Sequence, residues 1–403
     1  MPRAKAKTTT KAKTTTAKKA PTKKTTSNKD LIASFMKHSQ AADKNLTAYG
    51  STLDTSIYSN IDEYIDTGSY ALNRLISASV YGGIPSGRVI ALAGESGVGK
   101  SFALGQSIKN AQDKGYLVIY YDSENAIDND FMGNIGVKTE ELIYFPIDTT
   151  EEFKNHVIKT ISAFKKENKS QKIMICLDSL GNLSCEQEKK FIEKGTSGTD
   201  MGARAKANKS MLKELTKFCG KNQIPFVFTN HVMKPTDTMM QPQYVKNEQT
   251  GGKQATYMAS AVVMLSKGKL KADEASASDK KGKEATEKLG SILTCESRKN
   301  RLCQEEKKVK LYVSFKSGLN KFYGLVDDAV GSGAFTEVDK KNYIIHHMGD
   351  KKVHIKNLYN AEVFNKETLD KIDEYCKGTY SYSKLTDVND DELGNVLGDD
   401  NDE

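Results

Sequence analysis

Arg88-Val89-Ile90-Ala91-Leu92-Ala93-Gly94-Glu95-Ser96-Gly97-Val98-Gly99-Lys100-Ser101-Phe102 is the stretch on which the reading of this chain turns. Residues 88–93 read as a buried strand. The next eight fit the pattern GxxxxGK[ST], and a helical pattern runs over 100–114. A strand, a glycine-bearing turn and a helix in that order are the context of a phosphate-binding P-loop. Glycines let backbone N–H groups curl around phosphates, and the helix N-terminus adds partial positive charge. Lys100 is spaced to reach β- and γ-phosphates, and the Ser101 hydroxyl to help hold Mg²⁺. Gly94, Glu95, Ser96, Gly97, Val98, Gly99, Lys100, Ser101 and Phe102 are the first candidate ATP-binding residues.

Outward from this motif, apolar strands alternate with helical periodicity. Strands are expected at 117–121, 142–145, 172–177, 225–229 and 261–265, with helices at 151–167 and 208–222. On the last, Met211, Leu212, Leu215, Phe218 and Cys219 share one face at helical spacing. This alternation predicts an α/β fold with a mainly parallel sheet covered on both faces. Strands at 290–297 and 309–315 have no helix between them, so the sheet is expected to end antiparallel.

The flanks differ in composition. Residues 1–29 carry Arg3, nine Lys and no acid, and are expected to be a disordered basic arm. Residues 30–86 hold short helical patterns and are expected to form an N-terminal entry region ahead of the 87–333 core. A small C-terminal α+β domain is expected over 334–386, then a disordered acidic tail over 387–403 with eight acids and no base. Residues 232–256 read as a functional loop and 266–290 as a solvated excursion. The net charge of +8 suits a polyelectrolyte partner, or simply a well-solvated chain. No apolar run approaches the roughly 18–20 residues that span a bilayer, which speaks against a membrane role. The start has no apolar signal core. Six Cys at 176, 185, 219, 295, 303 and 376 form no CxxC pair, as suits a reducing cytoplasm.

Three strand ends carry candidate chemistry. Asp178 closes Ile173-Met174-Ile175-Cys176-Leu177, where open α/β sheets bind ligands, and can orient Mg²⁺ as well as cap a helix. Glu124 follows Tyr120-Tyr121-Asp122-Ser123 and can serve as general base, or be a plain surface carboxylate. His231 follows Asn230 at the end of 225–229, and is either a γ-phosphate sensor or a structural histidine.

Five separated motifs then agree with one family. Gly87-Arg88-Val89, the P-loop, Tyr121-Asp122-Ser123-Glu124-Asn125-Ala126-Ile127-Asp128, Leu177-Asp178-Ser179-Leu180 and Met201-Gly202-Ala203-Arg204-Ala205 stand in the order and spacing of RecA-type recombinases. The Asp178–Leu183 run and the Asn230-His231 pair most resemble the UvsX-like phage members. The resemblance covers about Ile65 to Lys384. It implies a RecA-like P-loop core, DNA-dependent hydrolysis of Mg-ATP, and a homo-oligomeric helical filament on single-stranded DNA that pairs with double-stranded DNA and exchanges strands. Mediator and single-strand-binding protein partners and a cytoplasmic setting, that of a bacterial host if phage-encoded, are implied likewise.

Residue by residue, the resemblance makes Glu124 catalytic beside Lys100, and places Asp128 and Phe131 at the adenine. His231 stands where cellular members have Gln. Lys299 and Arg301 fall on a Lys-x-Lys motif that reaches the ATP of a neighbouring subunit, with Arg in place of the second Lys. Gly202, Arg204 and Lys206 fall in or beside the first DNA loop (185–206), and Lys234, Lys246, Gly251, Gly252 and Lys253 in the second (233–256). Two other functions fit parts of the pattern: a ring-forming helicase or motor on the same core, and a non-hydrolysing filament mediator.

Overall fold

The structure is a computed structural model that describes residues 27–44, 50–125, 127–195, 201–233, 248–249, 254–268 and 290–382. The chain forms two compact units, residues 1–59 and 60–403. The described part of the first holds α1 (Asn28–Ala42), opened by a capping box between Ser27 and Asp30. No residue of α1 is buried, and Leu31, Ile32 and Phe35 are exposed.

The second unit runs β1 (Tyr64–Ile65), α2 (Tyr70–Ser77), β2 (Ile84–Pro85), β3 (Val89–Gly94), α3 (Lys100–Asp113), β4 (Leu117–Asp122), α4 (Asn129–Ile135) and β5 (Leu142–Pro146). It continues with α5 (Thr150–Glu167), β6 (Ile173–Asp178), α6 (Glu186–Glu193), α7 (Met201–Asn222), β7 (Phe226–Asn230), β8 (Val232–Met233), β9 (Glu248–Gln249) and α8 (Gln254–Met258). Then come β10 (Ala261–Gly268), β11 (Gly290–Asn300), β12 (Lys308–Ser314), β13 (Gly318–Leu319), α9 (Val326–Gly331), β14 (Phe335–Asp339), β15 (Asn342–Ile345), β16 (Lys351–His354) and α10 (Lys366–Tyr380).

Among the described residues, nine strands form the main sheet in the order β13-β12-β11-β10-β3-β7-β6-β4-β5. From β10 to β5 all neighbours are parallel; β10, β11, β12 and β13 pair antiparallel, as the sequence predicts. Apart from their last one or two residues, the central parallel strands β3, β7, β6 and β4 are apolar because both faces are covered. Along β3, Ile90 and Leu92 face a core with Leu104 and Ile108 of α3. Val89 and Ala91 face the other, with Phe153 of α5 and Met211 and Leu215 of α7. This is the period-2 alternation of a strand between two helix layers.

Packing draws the flanking segments into the same body. Ile65, Leu72 and Leu75 from before Gly87, Phe335, Ile345 and Ile372 of the C-terminal sheet and helix, and Phe364 just ahead of that helix join the α3-side core. A buried network ties α2, α9 and α10 together. Arg74 Nη2 lies 3.0 Å from Asp328 Oδ2, Tyr380 OH donates to Asp328 Oδ1 at 2.8 Å, and the Arg74 guanidinium stands over the Tyr380 ring.

Candidate nucleotide site

Strand register brings the chemistry together. Asn230 lies beside Ala93, and Asp122 beside Asp178. The C-terminal ends of β3, β7, β6 and β4 therefore line one edge of the sheet, where open α/β sheets bind ligands.

The turn after β3 depends on glycine at two points. A Cβ on Gly94 would stand 2.5 Å from Leu265 O. Gly99 has φ +100° and is the N-cap of α3, with no side-chain cap. The first N–H groups of α3 are thus without a capping side chain, a setting that suits an anion. Lys100 Nζ donates to Gly94 O at 3.1 Å and Glu95 O at 2.9 Å, so its ammonium lies under the loop. Burial lowers its pKa, against the pull of Glu124 and Asp178.

Asp178 is buried, and three hydroxyls hold its carboxylate. Ser101 Oγ and Tyr120 OH each donate to Oδ2 at 2.7 Å, and Thr229 Oγ1 donates to Oδ1. Ser101 and Asp178 thus offer two adjacent hard oxygen groups, the donor type that suits Mg²⁺.

Glu124 sits in a turn in which Asp122 Oδ1 accepts from the N–H groups of Glu124 and Asn125. Its Oε1 accepts Ser179 Oγ–H at 2.5 Å and lies 2.6 Å from His231 Nε2. Burial pushes the carboxyl upward, but the hydrogen bonds from Ser179 and His231 and the charge of Lys100 outweigh it and hold the pKa below its ordinary value.

Beside the loop lies a cavity of about 950 Å³ lined by Gly97, Phe102, Phe131 and the Phe315-Lys316-Ser317 turn between β12 and β13. Phe131 is exposed there, its ring open to the cavity. Asp128 is the N-cap of α4, with Oδ1 accepting from Phe131 N at 2.6 Å.

Lys100, Ser101, Glu124, Asp178 and His231 are therefore brought together. Lys299 and Arg301 are not. Lys299 pairs with Val262, which is level with Ala91, whereas Gly94 is level with Leu265 and Cys295. The pair lies toward the opposite end of the sheet from its own P-loop. Arg204 Nε and Nη2 donate to Glu188 Oε2 at 3.2 and 3.1 Å, while Gly202 and Lys206 are exposed. Lys234, Lys246, Gly251, Gly252 and Lys253 lie outside the described residues, as do 1–26, 269–289 and 383–403.

Sequence reading missed Tyr120, Ser179, Thr229 and the 315–317 turn. The hydroxyls at strand ends were a faint signal. Nothing local marked the turn, which reaches the cavity only because β12 and β13 fold back.

The sheet order, the loop after β3 and the acidic strand ends define the class: an α/β nucleotide-binding protein of the P-loop kind. A family model for the RecA N-terminal domain matches residues 45–320. The chain belongs to the RecA family. It is similar to a "Recombination and repair protein" of Enterobacteria phage T4, 27% identical over 299 residues, 73% of this chain and 69% of that protein. It is also similar to "Protein RecA" of Desulforapulum autotrophicum, 26% identical over 308 residues covering 75% and 80% of the two chains. "Protein RecA" of Wolbachia pipientis subsp. Culex pipiens is 26% identical over 329 residues, 81% of this chain and 85% of that one. Among the described residues no helix is long and apolar enough to cross a membrane.

Proposed function

We propose that this chain is an ATP-dependent DNA recombinase that assembles on single-stranded DNA and pairs it with homologous duplex. The observation that carries the reading is the contact of His231 Nε2 with Glu124 Oε1 at 2.6 Å. It joins the nucleotide edge to the segment after β7, which is expected to meet DNA. A change at the phosphate end of Glu124 is then felt at the root of that segment.

Within the site, the N–H groups of the P-loop and α3 bind phosphates, and Lys100 Nζ moves from the loop carbonyls onto them. Ser101 and Asp178 are the residues to hold Mg²⁺, which when bound neutralises phosphate charge. Glu124 Oε1 is taken by Ser179 and His231, so Oε2 orients the attacking water and accepts its proton. Phe131 stacks on the base and Asp128 stands at its edge.

Lys299 and Arg301, remote from their own P-loop, serve the nucleotide of a neighbouring subunit and offset developing charge there. The exposed Leu31, Ile32 and Phe35 of α1 and the edge strand β5 give a second copy apolar and main-chain surface to use. Gly202, Arg204 and Lys206, with Lys234, Lys246, Gly251, Gly252 and Lys253, contact the DNA backbone. Mediator and single-strand-binding proteins would load and clear the strand.

D-loop formation with homologous and heterologous duplex, with and without ATP, tests the reading. Product only with homologous DNA and ATP is expected. Unwinding that is indifferent to homology would refute it. The trans role is tested by mixing Glu124→Gln with Arg301→Ala protein: ATPase that follows simple averaging would refute it.

A further inference from the structure

The second anchor of the segment after β7 lies at the far end of the sheet. Lys299 Nζ donates to three main-chain carbonyls, Thr256 O at 2.8 Å, Tyr257 O at 2.7 Å and Ala259 O at 2.8 Å. Arg301 Nη2 donates to Tyr257 O at 2.9 Å. These carbonyls belong to α8 and its exit. A helix leaves its last four C=O groups without intrahelical partners, and α8 has only five residues. A helix this short is marginal in water by itself, and α8 carries no basic residue in its own last turn.

An ammonium offers three N–H donors on one atom. Lys299 spends them on the end of α8, from a strand outside the helix. The main chain reinforces the joint: Arg301 N donates to Ser260 O at 2.8 Å, and Ser260 N to Val89 O at 2.7 Å. The exit of α8 is thereby fixed to β3, the strand that leads to the P-loop. Burial and the charge of Arg301 pull the Lys299 pKa down to about 8, with Glu305 opposing.

We infer that Lys299, seconded by Arg301, is a positioning residue within its own subunit that holds the exit of the 232–258 segment in place. That segment is then tied at its start to Glu124 through His231 and at its end to β3 and β11 through Lys299. The three N–H groups cannot serve three carbonyls and a phosphate at once. On assembly the ammonium exchanges α8 for the neighbour's phosphate, a consequence that rests on the trans role proposed above.

Hydrogen–deuterium exchange on the full chain, unassembled and without nucleotide or DNA, tests the clamp. Lys299→Met should speed exchange over residues 254–260 about tenfold, the scale of one charge-assisted hydrogen bond. Lys299→Arg should stay within about threefold of the parent, because a guanidinium keeps charge and several donors. Exchange in β3 and α3 should be unchanged in both, which separates the clamp from general unfolding. Equal exchange in the parent and Lys299→Met would overturn the inference, as would an Arg variant that behaves like the Met one. Failure of the trans role shows elsewhere, in the mixed-protein ATPase, and leaves this measurement standing.

Discussion

Replacing Tyr120 by Phe removes one oxygen from the centre of the site and little else. The ring is buried and stacks on Tyr144 at 6.3 Å between centroids, a contact that Phe keeps. Lost is the 2.7 Å hydrogen bond to Asp178 Oδ2, an oxygen that also accepts from Ser101. A bond to a buried charged acceptor contributes about 1.5–3 kcal/mol. The melting temperature of the variant should therefore fall by about 2–4 °C, given the size of the 60–403 unit. When Ser101 turns to a metal ion, Tyr120 and Thr229 are left to orient the carboxylate. Loss of such a supporting partner typically lowers metal affinity about 10–100-fold. The assay is the Mg²⁺ concentration for half-maximal nucleotide binding, read beside the melting temperature. Tyr144→Phe is the control, since its hydroxyl bonds Asp122 at 3.1 Å and not Asp178. An unchanged Mg²⁺ midpoint together with an unchanged melting temperature would refute the reasoning.

Glu124→Gln should keep nucleotide affinity within about threefold and lower DNA-stimulated turnover by about 10²–10⁴, the usual worth of a positioned base, measured by phosphate release. Because the Glu124 pKa is held below its ordinary value, the stability from its charged form is present above that value and lost as pH falls through the lowered one. The Gln variant should lack this acid-side loss in pH-dependent unfolding. Asp328→Ala strips both Arg74 and Tyr380 of their shared partner in the core and should cost about 3–5 kcal/mol by denaturant unfolding. Deleting residues 1–29 should weaken DNA binding and flatten its salt dependence, since fewer counterions are released. Deleting 387–403 should strengthen it, most for duplex at low salt, because screening over about 8–10 Å removes the effect near physiological ionic strength. Affinities unchanged across a salt titration would leave both segments without this role.

The P-loop, the parallel strands and the acids Glu124 and Asp178 were legible in the sequence because each depends on local rules. Glycine spacing, apolar runs and a carboxylate after a strand are written over a few residues each. Even the antiparallel end of the sheet could be read, from the missing helix between 297 and 309. Tertiary structure alone decided what converges. Tyr120, Ser179 and Thr229 became partners of the two carboxylates because β4, β6 and β7 lie side by side in register, although 51 residues separate Thr229 from Asp178. Likewise, the polarity of β11 against β3 sends Lys299 and Arg301 away from their own P-loop and onto α8, since an antiparallel strand starts at one edge of the sheet and finishes at the other. Sequence names the charged groups; only strand order and direction fix which of them can meet, because a hydrogen bond acts over about 3 Å and the chain between its ends does not set that distance.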